Sequence, residues 1–238
     1  MRSYGSILIC IYVYFAAQTA LQSNSKLFFM PFFYQQNINE TRHLAIWAIT
    51  EPVSFFETDV QLAVAIQNEE RKIQHLAVRL LFKLMMPEAD LSKMVMADNG
   101  KPYLQGVPFH FSFSHCKGYA AVAVSDTDPI GIDIEIIHPR ILKVAHKFLN
   151  ASEKGMIAEM SEQDQLQQMA FFWAAKEAMY KQHEQLGIDF ANHFQVLGLA
   201  KEQSGRVAAK IIHRDIEQLV QLDYHFASDY ICVTCFTE

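Results

Sequence analysis

Residues Ile130 to Ile137 read Ile-Gly-Ile-Asp-Ile-Glu-Ile-Ile, and this stretch constrains the fold more tightly than any other. Strict alternation of isoleucine with Gly, Asp and Glu predicts a β-strand, because successive side chains of a strand point to opposite faces. Ile132, Ile134 and Ile136 then project one way, and Asp133 and Glu135 the other. At this spacing the two acidic Cα atoms lie ~7 Å apart, so their carboxylates can converge on one ion. Mutual repulsion disfavours ionising both without a cation. A hard dication bound through oxygen, such as Mg²⁺, suits the pair. The competing reading is a half-buried strand whose polar face is simply wet.

Of the 238 residues, 51% are hydrophobic and 19% charged, which is enough apolar material for a substantial core. The formal net charge of −6 argues against a general nucleic-acid binder, and any anionic ligand has to meet locally concentrated positive charge. Four cysteines, Cys10, Cys116, Cys232 and Cys235, are too few and too scattered for a disulfide framework and fit a reducing compartment. Cys232 and Cys235 are expected on opposite faces of a strand over Tyr230 to Phe236, so they do not read as a metal-binding pair.

The apolar run Ile7 to Ala17, behind Arg2 and followed by small and polar residues, has the layout of a secretory signal and is too short for a confident membrane span. The reading preferred here is that translation starts at Met30 and that residues 1–29 form a peripheral, poorly packed extension. The sequon Asn39-Glu40-Thr41 then carries no glycan.

Beyond His43, Leu44 to Thr50 predicts a strand that stops at Glu51-Pro52. Thr58-x-x-Gln61 has capping-box spacing for a first helix. Asn68 caps a second, whose stripe is Ile73, Leu76, Ala77, Leu80 and Leu84, with Arg71 and Arg79 off the stripe. Asn99-Gly100 signals a turn. Phe109 to Ser114, Tyr119 to Ser125 and the isoleucine strand are expected to form a three-stranded meander, which brings Ser114 and His115 beside the carboxylates. Arg140, Lys143 and Lys147 recur at helical spacing, and Asn150 or Ser152 caps the next helix.

In the long helix Leu166 to Gln182, the inward stripe Leu166, Ala170, Trp173 continues through Glu177 and Lys181. An acid on such a stripe needs a partner. Lys181 at i+4 and a metal shared with Asp133 and Glu135 are both open. Strands follow around Val207 to His213, Leu219 to Phe226 and Tyr230 to Phe236. The class is α+β, in two halves of similar element order, 30–128 and 129–238. A site where they meet would draw His115 from the first half and Asp133, Glu135, Glu177 and Lys181 from the second.

Five segments, Gly100-Lys101-Pro102-Tyr103-Leu104, Phe111 to Cys116, Gly131 to Glu135, Phe148 to Glu153 and Trp173 to Lys181, resemble in order and spacing the motifs of Sfp-type 4′-phosphopantetheinyl transferases over about residues 43–236. The resemblance implies a pseudo-dimer of two α+β halves with the active site between them. It implies Mg²⁺-dependent transfer of phosphopantetheine from coenzyme A to a serine of an apo-carrier protein, releasing 3′,5′-ADP. By motif match, Asp133, Glu135 and Glu177 would hold Mg²⁺, and Lys101, Ser114, His115 and Lys181 would contact the coenzyme A phosphates. Arg71 and Arg79 resemble the family's basic helix, and Glu177 would be the base, directly or through a water. A cytoplasmic monomer that binds neither nucleic acid nor membrane is expected. Where the family commonly has Asn-x-Ser-His-Ser, this chain has Ser112-Phe113-Ser114-His115-Cys116, which alters the polar contacts flanking the Ser-His pair. The alternatives are another metal-dependent phosphotransferase or phosphodiesterase, or a noncatalytic, envelope-associated carrier-binding protein.

Overall fold

The isoleucine strand forms over Gly131–Ile136, but its ladder partner is the last strand of the chain and not the hairpin that precedes it. The computed structural model describes residues 33–237, apart from 61, 63, 64, 98 and 99. The extension expected over 1–29, and the positions of Gln61 and Asn99, lie outside the described residues. The strands are β1 (Phe33–Asn37), β2 (Arg42–Ala48), β3 (Met94–Met96), β4 (Pro102–Leu104), β5 (His110–Cys116), β6 (Tyr119–Ser125), β7 (Gly131–Ile136), β8 (Phe194–Val196), β9 (Ser204–His213), β10 (Ile216–Phe226) and β11 (Tyr230–Phe236). The helices are α1 (Val53–Glu57), α2 (Glu69–Met85), α3 (Ala151–Ile157), α4 (Glu162–His183) and α5 (Phe190–His193). Two antiparallel sheets run β1-β2-β6-β5 and β7-β11-β10-β9-β8, and β3 pairs with β4. Among the described residues no helix is long and apolar enough to cross a membrane.

Period-two and period-3.6 patterning stack these elements in four layers. The α2 stripe packs on the face of the first sheet that carries Ala45, Trp47, Phe111, Val122 and Val124, and Asn68 caps the helix by accepting from Arg71 N–H at 2.8 Å. The other face of that sheet (Leu44, Ile46, Ala121, Ala123) meets Ile132, Ile134, Tyr230 and Cys232 of the second. The far face of the second sheet, with Val220, Leu222, Val233 and Cys235, lies under α4. Cys232 and Cys235 therefore do face opposite ways, as an odd spacing within a strand requires.

Three expectations need correction. The meander ends at β6: β7 crosses to the second sheet, where the wholly buried β11 supplies its ladder. The edges of β5 and β7 are joined by side chains instead, with Ile132 N–H donating to Ser112 Oγ and Ile134 N–H to Ser114 Oγ, both at 3.1 Å. The helix expected to start at Thr58 ends there. Thr58 is the C-terminal cap of α1, and its hydroxyl donates to Phe55 O at 2.8 Å. Phe55 and Phe56 pack edge-on against Trp47, at 6.2 and 5.7 Å between centroids, and this burial outweighs a local capping signal. Arg140, Lys143 and Lys147 lie on two short 3₁₀ turns, Pro139–Lys143 and Ala145–Lys147, and all three are exposed. The tighter turn leaves no α-helical basic face.

Two features fix α4 against the second sheet. Lys176 and Glu153 are fully buried and paired at 2.7 Å. Lys176 Nζ also donates to Phe148 O and Phe190 O, at 2.6 and 3.0 Å. Glu153 accepts from Val196 N–H and, in a capping box, from Asn150 N–H, both at 3.0 Å. Asn150, and not Ser152, caps α3. On the other flank, a Cβ at Gly131 would overlap the Ala178 carbonyl oxygen and come within 2.8 Å of Gln182 N. Only glycine lets β7 approach α4 so closely.

Two substitutions test this packing. Gly131→Ala should cost about 3 kcal/mol or more, because backbone atoms of α4 would have to move, read as a lowered midpoint in urea. Lys176→Met should cost about 3–5 kcal/mol by leaving Glu153 buried and unpaired, with much of the loss recovered in Lys176→Met/Glu153→Leu.

Candidate active site

On β7 the isoleucines enter the core between the sheets, so Asp133 and Glu135 turn toward α4. From α4 three residues at i, i+4 and i+8, Trp173, Glu177 and Lys181, share one face. Asp133 is 4% exposed. Its Oδ1 accepts from Ser114 Oγ–H at 2.8 Å and from Lys181 Nζ at 2.6 Å, while its buried Oδ2 has no hydrogen-bond partner. Lys181 also donates to Ile132 O at 2.9 Å. The ion pair open between Lys181 and Glu177 is absent among those of the described residues, because Asp133 takes the ammonium.

Glu135 Oε1 accepts from Trp173 Nε1–H at 3.0 Å. Burial, and then repulsion by Asp133, push Glu135 up to about 7 despite that bond and the pull of Lys181. Glu177 is likewise pushed up to about 7, by burial first and Asp133 second. The three carboxylates therefore stand within electrostatic reach of one another. Among the described residues, no three His, Cys, Asp or Glu side chains converge as a finished metal site. The donor set still fits a hard cation: carboxylate oxygens, one of them buried without a partner, and two neighbouring acids whose pKa burial and Asp133 raise.

A cleft of about 170 Å³ opens beside these residues, lined by Lys101, Pro102, Ser112, Phe113, Glu177, Tyr180 and Lys181. Lys101 Nζ donates to Lys181 O at 2.9 Å and pairs with Glu184, tying the β4 arm to the end of α4. Burial lowers the Lys101 pKa, and Glu184 opposes the shift. Glu184 sits in the left-handed region, at φ +63°, as the residue that ends α4.

His115 occupies the end of β5. Burial, followed by His75, Lys181 and Arg71, pushes it down to about 4. The half-buried Arg79 donates to the His75 carbonyl of its own helix at 3.0 Å, and Arg71 is exposed. Sequence reasoning missed His75, whose ring lies 4.7 Å from that of His115. The signal was present, since His75 stands midway between Arg71 and Arg79 at helical spacing. It also missed the bond from Trp173 to Glu135 and the role of Ser112 at the sheet edge.

Residues 129–235 match the family model described as the 4′-phosphopantetheinyl transferase superfamily. The chain is similar to 4′-phosphopantetheinyl transferase psf-1 of Bacillus pumilus, at 41% identity over 35% of this chain and 36% of that protein. It is similar to 4′-phosphopantetheinyl transferase AcpT of Salmonella typhimurium, at 35% identity over 47% of this chain and 59% of that protein. A third relative, 4′-phosphopantetheinyl transferase Sfp of Bacillus subtilis, is 33% identical over 35% of this chain and 37% of its own length. The chain thus spans between 36 and 59% of the length of these curated relatives.

The raised acids give a pH prediction for the protein without added metal. A folded-state pKa above the ordinary carboxylate value contributes stability that is present below that value and lost as pH rises through about 7. Glu177→Gln removes this loss. Its melting temperature should rise relative to wild type from about pH 5 to about pH 8, a difference that parallel thermal melts would read.

Proposed function

From the match of residues 129–235 to the model of the 4′-phosphopantetheinyl transferase superfamily, we propose that the protein transfers 4′-phosphopantetheine from coenzyme A to a serine of an apo-carrier protein and releases 3′,5′-ADP. The observation that carries the reading is Asp133. One of its oxygens is held by Ser114 and Lys181, the other is buried without a partner, and two further acids beside it are raised to about 7 by burial and then by its charge. In this reading the halves 30–128 and 129–238 are the two members of a pseudo-dimer, and the cleft between β5 and α4 is the active site.

Asp133, Glu135 and Glu177 would hold a divalent cation, Mg²⁺, which when bound neutralises charge on the diphosphate oxygens. Lys181 and Lys101 hold the phosphates from the α4 side of the cleft, and Ser114 and His115 from β5, with Arg71 and Arg79 at the rim. Glu177, directly or through a water, takes the proton of the carrier serine. The serine oxygen forms a bond to the phosphorus that carries pantetheine. The bond from that phosphorus to the bridging oxygen breaks, and 3′,5′-ADP leaves with the electron pair. Attack in line needs no covalent enzyme intermediate. Because coenzyme A and carrier proteins meet in the cytoplasm, the reading places a monomeric enzyme there.

The test is to mix the purified protein with coenzyme A, Mg²⁺ and a panel of apo-carriers and to weigh the products. A pantetheinylated carrier is expected, with Asp133→Ala slowing transfer by about a thousandfold while the circular dichroism spectrum is unchanged. Transfer by Asp133→Ala at the wild-type rate would remove the acid from the mechanism. Release of 3′,5′-ADP without any carrier would turn the reading toward a phosphodiesterase.

A further inference from the structure

Arg71, His75 and Arg79 follow one another at i, i+4 and i+8 on α2, so one face of the helix carries all three. At the end of β5 the His75 ring meets the His115 ring edge-on, with centroids 4.7 Å apart and planes at 60°. The Arg79 guanidinium donates to the His75 carbonyl at 3.0 Å and lies 3.4 Å from His75 Nδ1. A guanidinium offers only donors, so Nδ1 is the accepting nitrogen and the neutral ring carries its proton on Nε2.

The charged groups that act most strongly on the two rings are Arg71 and Arg79 from α2 and Lys181 from α4, all basic. Burial and these neighbours lower both histidines, His115 to about 4. The two imidazoles are thus held in contact beside Arg71, Arg79 and Lys181, of which Lys181 is paired with Asp133. An anion bound against the two rings would meet the positive charge of Arg71 and Arg79 in addition to that of Lys181.

We infer that His75 is a second imidazole of the phosphate-binding site, that it receives the anionic group of the ligand together with His115, and that this binding draws a proton from solvent onto the pair. The inference rests on the reading of His115 and Lys181 as phosphate contacts, and adds to it a residue and a pH dependence. The fitting group is a phosphomonoester, whose charge approaches −2 near neutral pH. Such a dianion raises the pKa of an adjacent imidazole. Between the free and bound values a proton enters with the ligand, and affinity strengthens as pH falls, by about tenfold per pH unit for each proton taken up. Protonation of the phosphate itself opposes the trend below about pH 6.

The probe is adenosine 3′,5′-bisphosphate, the nucleotide product of the proposed reaction. Calorimetric titration of the full chain in two buffers of different ionisation heat reads affinity and proton uptake together. Wild type should take up a substantial fraction of a proton per nucleotide near neutral pH. His75→Leu should bind about tenfold more weakly and take up less, with an unchanged circular dichroism spectrum. His75→Gln keeps a donor that cannot be protonated, and should recover part of the affinity without the lost uptake. Equal affinity and equal uptake in His75→Leu and wild type would overturn the role of His75. If His75→Leu does not fold, the wild-type imidazole proton resonances decide: an upward shift of the His75 titration midpoint on adding nucleotide supports the pair, and an unmoved midpoint refutes it. Wild type that binds no nucleotide would sink the phosphate-contact reading itself, whereas tight binding without proton uptake would sink only the histidine pair.

Discussion

Ser114 Oγ accepts the amide of Ile134 and donates to the carboxylate of Asp133. With Ser112, which accepts the amide of Ile132, it joins β5, the edge of one sheet, to β7, the edge of the other. No backbone ladder spans that junction, so two hydroxyls do what a row of peptide groups does elsewhere. The same oxygen that registers the strands also orients the acid. Its loss would leave the buried amide of Ile134 short of this partner, at a cost of about 1–3 kcal/mol, and Asp133 Oδ1 with Lys181 alone. Strand alignment and the geometry of the candidate site therefore depend on one interaction.

The helix that faces this junction is held in rotation and in depth by separate means. Lys176 and Glu177 are adjacent, about 100° apart around the helix axis. Anchoring Lys176 in a fully buried network with Glu153, Phe148 and Phe190 therefore fixes the direction of Glu177. A buried pair of this kind is weak evidence for stability, because desolvation offsets the attraction. Its saturation by backbone groups suits it instead to specifying one rotation. Depth is set at Gly131, where the absence of a side chain lets the β7 backbone lie against the carbonyl of Ala178.

Lys181 stands between two clusters of opposite character. On one side burial and repulsion raise Glu135 and Glu177; on the other, burial and basic neighbours lower His115 and His75. Each cluster carries an electrostatic cost in the free protein that a counter-charge relieves. A ligand that brings a cation to the acids and phosphate to the histidines relieves both. In the proposed reading that ligand is a metal-bound diphosphate.

Periodicity in the sequence was enough to find the isoleucine strand, the stripe of α2, the face of α4 that carries Trp173, Glu177 and Lys181, and the opposed Cys232 and Cys235. In each case the information is local: the pleat and the helical turn decide which side chains share a face. Which element then covers that face is a long-range matter. β7 left the expected meander because β11, about a hundred residues later, offered it a buried ladder, and Lys181 left Glu177 for Asp133, 48 positions away. α1 formed ahead of Thr58 because Trp47 gave its phenylalanines a surface to cover, and His75 met His115 only when α2 packed on the first sheet. The sequence by itself determined the faces and the chemical groups on them. The tertiary structure decided the partners, because burial and charge pairing depend on distances in space that local spacing does not encode.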